Sequence, residues 1–170
     1  MNVAQWLVRA ARTHGDRVAV LHGEQPLWTY GTLADRAARL AGHLRGELGL
    51  AQGDRVALFM GNHPSYLELM YAAWWAGLVV VPVNAKLHPK ELAWIVGHAQ
   101  AEVLCVSDDL AAGVADAGVA CRATLTPGTD GYAQALQVAP IDCMPRDGDD
   151  LAWLFYTSGT TGRPKGVMLS

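Results

Sequence analysis

The chain has 170 residues, of which 51% are hydrophobic and 17% charged, with a formal net charge of -3. That length allows one core burying about 70% of the unfolded surface, and the apolar composition excludes a disordered chain. The small negative charge excludes a basic field of the kind that nucleic acid or anionic lipid requires.

Asn2 to His14 is a predicted helix with Val3, Trp6, Leu7 and Ala10 on one face and Gly15 as its stop. Arg17 to Leu21 and Leu27 to Tyr30 read as a hairpin around Gly23-Glu24-Gln25-Pro26. A second helix is predicted over Leu33 to Leu48, capped by Thr32, with Asp35 in its first turn. Strands and helices then alternate: strand Arg55 to Met60, helix Ser65 to Ala76, strand Leu78 to Val83, helix Pro89 to His98, strand Val103 to Val106. Continuous apolar strands between helices predict an α/β fold with a mainly parallel sheet covered on both faces. Between Ser107 and Asp150 the pattern weakens to a short helix at Asp109 to Ala115, a strand at Val119 to Ala123 and a loop at Thr126 to Gly131. A final apolar strand begins at Leu151.

Leu69 to Val83 carries no charge but is shorter than the ~18 residues of a spanning helix and contains Gly77 and Pro82, so it reads as helix, cap and buried strand. Cys105, Cys121 and Cys143 are odd in number and widely spaced, which fits a reducing cytoplasm. The six histidines, among them His88 and His98, show no metal-ligand spacing and are expected at the surface or at helix ends. No residue is expected to be a metal ligand by spacing.

The richest segment is Tyr156-Thr157-Ser158-Gly159-Thr160-Thr161-Gly162-Arg163-Pro164-Lys165-Gly166-Val167-Met168-Leu169-Ser170. The four hydroxyls of Thr157, Ser158, Thr160 and Thr161, the turn-permitting Gly159 and Gly162, and the single Lys165 suit a polyphosphate. A Walker loop would run into a helix after its lysine. Here Pro164 biases Arg163 toward extended geometry, and Gly166-Val167-Met168-Leu169 predicts strand, loop, strand. The apolar run Leu151 to Tyr156 positions the loop, which excludes a floppy linker.

Thr157 to Gly162 followed by Pro164-Lys165-Gly166-Val167 resembles, residue by residue, the signature loop of the adenylate-forming (AMP-binding) superfamily, in particular its acyl-CoA synthetase branch. Thr29-Tyr30-Gly31-Thr32-Leu33, Gly53-Asp54-Arg55-Val56-Ala57 and Ala76-Gly77 through Pro82-Val83-Asn84 resemble upstream landmarks of the same family in the same order. The resemblance implies an enzyme that uses ATP with Mg²⁺ to convert a carboxylic acid, fatty or aryl, to an acyl-adenylate and passes the acyl group to CoA. It implies that Thr157, Ser158, Gly159, Thr160, Thr161, Gly162 and Lys165 hold the nucleotide phosphates, with Lys165 as the catalytic cation.

The family's adenine, ribose and acid-pocket residues, its hinge and its C-terminal domain lie downstream of this motif. Residues 1–170 are therefore expected to form an N-terminal part of the AMP-binding domain, ending just after the phosphate loop at 156–166 and inactive alone. The last two strands are expected to pair with elements encoded later, leaving edges through which the chain self-associates. The alternatives are an adenylation domain of the peptide synthetase type and a non-catalytic nucleotide- or protein-binding module.

Overall fold

The computed structural model describes residues 1–157 and 164–170. In chain order the elements are α1 (Gln5–His14), β1 (Val18–His22), β2 (Gln25–Thr29), α2 (Tyr30–Gly42), β3 (Arg55–Phe59), α3 (Ser65–Trp75), β4 (Val79–Val83), α4 (Pro89–Ala99), β5 (Ala101–Val106), α5 (Asp108–Asp116), β6 (Ala123–Leu125), α6 (Asp130–Ala135), β7 (Trp153–Thr157) and β8 (Lys165–Leu169). The hairpin β1–β2 stands apart from a six-stranded sheet of order β6-β5-β3-β4-β7-β8. Every neighbouring pair is parallel except β7 and β8. The α/β class and the mainly parallel sheet agree with the apolar strand runs.

Alternate residues of each strand feed two cores. Val56, Leu58, Met60, Val80, Val103 and Cys105 pack with α1, α2, α3 and α6 on one face. Ala57, Phe59, Val81, Val83, Leu104 and Val106 pack with α4 and α5 on the other. The predicted cap at Gly77 is present: its φ of +74° is open to glycine at little cost, and it turns the chain from α3 into β4.

Several expectations are corrected. Of the face predicted for α1, Val3 and Leu7 pack on the core, but Trp6 is 60% exposed, and Ala4, Val8 and Ala11 complete the buried stripe in place of Trp6 and Ala10. Asn2 precedes that helix, and its buried amide donates to the Trp74 and Met144 carbonyls. Helix α2 starts two residues before the predicted cap, because Thr29, not Thr32, has extended backbone and accepts the Thr32 N–H. It ends in a π-helical turn, His43–Glu47. The strand expected at Val119 to Ala123 forms at Ala123–Leu125, and α6 follows where only a loop was expected.

The largest correction concerns β7, which pairs within the chain, in parallel beside β4, and not with something encoded later. Trp74 of α3 explains the placement. Its ring meets Trp153 edge-on at 4.7 Å, and its indole N–H donates to the Ala152 carbonyl at 3.0 Å.

One polar network is buried beside the first core. Glu68, fully buried in the first turn of α3, accepts from Arg36 Nε at 2.6 Å, Arg36 Nη2 at 3.1 Å and the Tyr132 hydroxyl at 2.6 Å. The Arg36 guanidinium also lies over the Trp28 ring at 4.5 Å. The network ties α2, α3, α6 and β2 together, and burial with the neighbouring carboxylate drives the Tyr132 hydroxyl strongly upward in pKa.

Candidate phosphate-loop site

Helix α3 leaves β3 onto one face of the sheet, while α4 leaves β4 onto the other. Adjacent parallel strands whose connections part in this way open a crevice at their carboxyl ends, where ligands of open α/β sheets bind. A cleft of about 830 Å³ occupies that position, lined by Met60 and Asn62 after β3, by Asn84 and Lys86 after β4, by Tyr66 of α3 and by His22 of the hairpin. Its rim is braced. The Gly61 N–H donates to Ser107 Oγ at 3.2 Å, joining the exits of β3 and β5. Asn84 Oδ1 accepts the Lys86 N–H at 3.0 Å, and His63 Nδ1 accepts the Ser65 N–H at 3.1 Å.

Strand β7 delivers the phosphate-loop motif to the same edge. Val80 pairs with Trp153, and β7 runs parallel to β4 from there, so Thr157 lies toward the carboxyl edge of the sheet. Strand β8 returns antiparallel, and its last pair with β7 is Thr157 with Lys165. Opposed residues in such a ladder lie about 5 Å apart between Cα atoms. Both ends of the loop therefore meet at one point of the carboxyl edge. Thr157 and Lys165 are exposed, and no ion pair among the described residues engages Lys165. The extended backbone from Lys165 to Leu169 agrees with the expected strand and departs from the helix a Walker loop needs. Ser158, Gly159, Thr160, Thr161 and Gly162, with Arg163, lie outside the described residues.

Sequence reasoning missed what grips the loop's first stem. The Tyr156 hydroxyl lies 2.7 Å from His98 Nδ1. Trp94, one turn earlier on α4, stacks on the His98 ring at 4.7 Å and 21°, and Tyr156 meets both rings edge-on. Burial moves the Tyr156 hydroxyl upward in pKa, so it stays protonated at neutral pH. The available signal was Trp94 and His98 at i,i+4, which share a helix face. Among the described residues no three His, Cys, Asp or Glu side chains converge as a metal site, and no helix is long and apolar enough to cross a membrane.

A mainly parallel sheet with helices on both faces places the chain in the open α/β class, whose ligands bind at the carboxyl edge. The family model for AMP-binding enzymes matches residues 7–170, and the chain belongs to that family. It is 43% identical to a feruloyl-CoA synthase of Amycolatopsis sp over 168 residues, which cover 99% of this chain and 33% of the relative. It is 37% identical to a long-chain-fatty-acid–CoA ligase of Thermus thermophilus over 184 residues, covering 100% of this chain and 33% of that one. Among solved structures, the inhibitor-bound N-terminal domain of FACL13 from Mycobacterium tuberculosis superposes with a TM-score of 0.86 at 31% identity, over 99% of this chain and 44% of that one. The chain thus spans about a third of the length of the curated relatives it matches.

Proposed function

We propose that the chain supplies the phosphate-holding part of an ATP-dependent acid–thiol ligase. In the reaction, a carboxylate oxygen attacks the α-phosphorus of ATP while the bond to the β-phosphate bridging oxygen breaks, giving acyl-adenylate and pyrophosphate. A thiolate sulfur of CoA then attacks the acyl carbon and AMP leaves. The pairing of Thr157 with Lys165 at the carboxyl end of β7 carries this reading, because it brings the two ends of the hydroxyl-rich segment together. The CoA-ligase relatives support CoA over a carrier thiol as acceptor, and a fatty or aryl acid as substrate.

In this proposal Thr157, Ser158, Gly159, Thr160, Thr161 and Gly162 surround the β- and γ-phosphates with hydroxyls and N–H groups. Lys165 neutralises charge as it gathers on the leaving pyrophosphate. Mg²⁺, which binds through one or two protein oxygens plus substrate phosphates, would share that charge, and the Thr157 hydroxyl at the loop's mouth is a suitable ligand. The family resemblance implies that the residues placing the α-phosphate and the acid lie downstream of this motif.

The isolated chain is then expected to catalyse nothing, since holding phosphates without orienting the acid does not bring the carboxylate into attack. Exchange of labelled pyrophosphate into ATP, run with the purified chain over a panel of fatty and aryl acids, checks this. Exchange above background with any acid overturns the division of labour. In an active ligase carrying this sequence, Lys165→Ala slows adenylate formation by about a hundredfold, or ~3 kcal/mol, with little change in KM for the acid. An unaltered exchange rate sinks the role given to Lys165. Self-association of the isolated chain along the outer edge of β8 belongs to the same proposal, and sedimentation over a tenfold dilution series tests it.

A further inference from the structure

We propose that His98 is a positioning residue for the phosphate loop: through the Tyr156 hydroxyl it fastens both stems of the loop to α4. The inference rests on the phosphate-binding reading for its functional consequence, although the anchor itself is a matter of geometry. Strand β8 is exposed along its whole length and lies at the sheet edge, where β7 is its one strand partner. Trp74 and β4 hold the start of β7 at Ala152 and Trp153, so at its far end the hold on Tyr156 bears on both stems.

Three observations make His98 that support. Its Nδ1 lies 2.7 Å from the phenol oxygen. The stacked Trp94 ring at 4.7 Å fixes the plane of the imidazole. Across the hairpin, Gly166 is the Cα partner of Tyr156, and a Cβ at that position would stand 3.5 Å from Tyr156 Cζ, so the ring lies against β8. One phenol side chain thus bears on α4 with its hydroxyl and on β8 with its ring.

Packing alone gives no reason for this arrangement. The core on that face is already filled by Val81, Val83, Leu92, Ile95 and Val96, and a phenylalanine at 156 would fill the same space. The added element is a directional bond from an otherwise exposed histidine to the residue that precedes Thr157.

The test combines amide hydrogen exchange, the urea midpoint and ATP·Mg titration of the 170-residue chain in wild type, His98→Ala, His98→Asn, Tyr156→Phe and the double variant His98→Ala with Tyr156→Phe. His98→Ala is expected to speed exchange at the strand-paired amides among Thr157, Gly166 and Val167 about fivefold, as for the loss of one hydrogen bond, with the urea midpoint lowered by about 0.5 M, as the same loss requires, and the locally opening amides of α2 and α3 unmoved. His98→Asn, whose amide takes the place of Nδ1, restores the slow exchange. The double variant matches the faster of the single variants, because both remove the same bond. ATP·Mg affinity falls by about the same fivefold in His98→Ala and recovers in His98→Asn. Wild-type exchange in His98→Ala, equal acceleration at the locally opening amides of α2 and α3, failure of His98→Asn to restore it, or multiplying effects in the double variant would each overturn the anchor. If the stems loosen as expected while the wild type takes up no ATP·Mg, the anchor stands and the phosphate reading falls.

Discussion

Removing the cation from the buried Arg36–Glu68–Tyr132 network is expected to be among the most destabilising single changes open to this chain. The Glu68 carboxylate has no solvent exposure and two partners, Arg36 and Tyr132. Arg36→Met keeps the aliphatic stem but leaves that carboxylate buried with one neutral hydroxyl, which costs about 3–5 kcal/mol. Glu68→Gln costs less, about 2 kcal/mol, because the Arg36 side chain is 27% exposed and its charge recovers water. Tyr132→Phe removes one charge-assisted bond and leaves two, for about 1.5 kcal/mol. Urea unfolding followed by tryptophan fluorescence reads the order directly. With a slope of about 2 kcal/mol per molar, Arg36→Met lowers the midpoint by about 2 M at unchanged slope. Apolar replacement of all three residues recovers much of the loss, since no buried charge is then left without a partner. An Arg36→Met variant within about 1 kcal/mol of wild type would refute this reasoning. The consequence reaches the cleft, because Glu68 holds the first turn of the helix whose start forms its rim.

Two further outcomes follow from packing and from pH. Gly42→Ala places a Cβ against the Ala139 carbonyl, a backbone atom with little freedom to yield, and is expected to cost about 1–3 kcal/mol by urea unfolding and to open the Ile141 N–H bond to the Ala38 carbonyl. Burial raises the hydroxyls of Tyr66, Tyr71, Tyr132 and Tyr156 above their ordinary 10.0, so above that pH the unfolded chain binds fewer protons than the folded one. Stability is then independent of these groups below pH 10.0 and falls as pH rises beyond it, with a slope that Tyr132→Phe flattens in thermal melts at stepped pH.

The elements legible in the sequence are those whose pattern is local. Val79 to Val83 and Val103 to Val106 are unbroken apolar runs, as strands buried on both faces must be, and Gly77 marks the turn between α3 and β4. Helix α6 was not legible because six residues make fewer than two turns, too few to show a repeating stripe, and its buried members, Tyr132 and Ala135, are placed by contacts made elsewhere in the chain. Thr29 and Thr32 are both cap-competent three residues apart, and backbone geometry, not residue type, chose Thr29. The two strands that flank the candidate site were legible because Pro164 and the apolar flanks act locally. The grip of His98 on Tyr156 spans 58 residues and depends on β7 lying beside β4, a pairing that no local signal announces.

The central claim is that the segment opened by Thr157 and closed by Lys165 holds the phosphates of a nucleotide. The most direct measurement is an ATP·Mg titration of the chain followed residue by residue through amide chemical shifts, with Lys165→Ala alongside. The account predicts that the largest shifts fall on Thr157, Gly166 and the residues between them, and that Lys165→Ala weakens the response about fivefold or more, as expected for a lost charge-assisted contact. Shifts confined to other parts of the chain, or an undiminished response in Lys165→Ala, would contradict it.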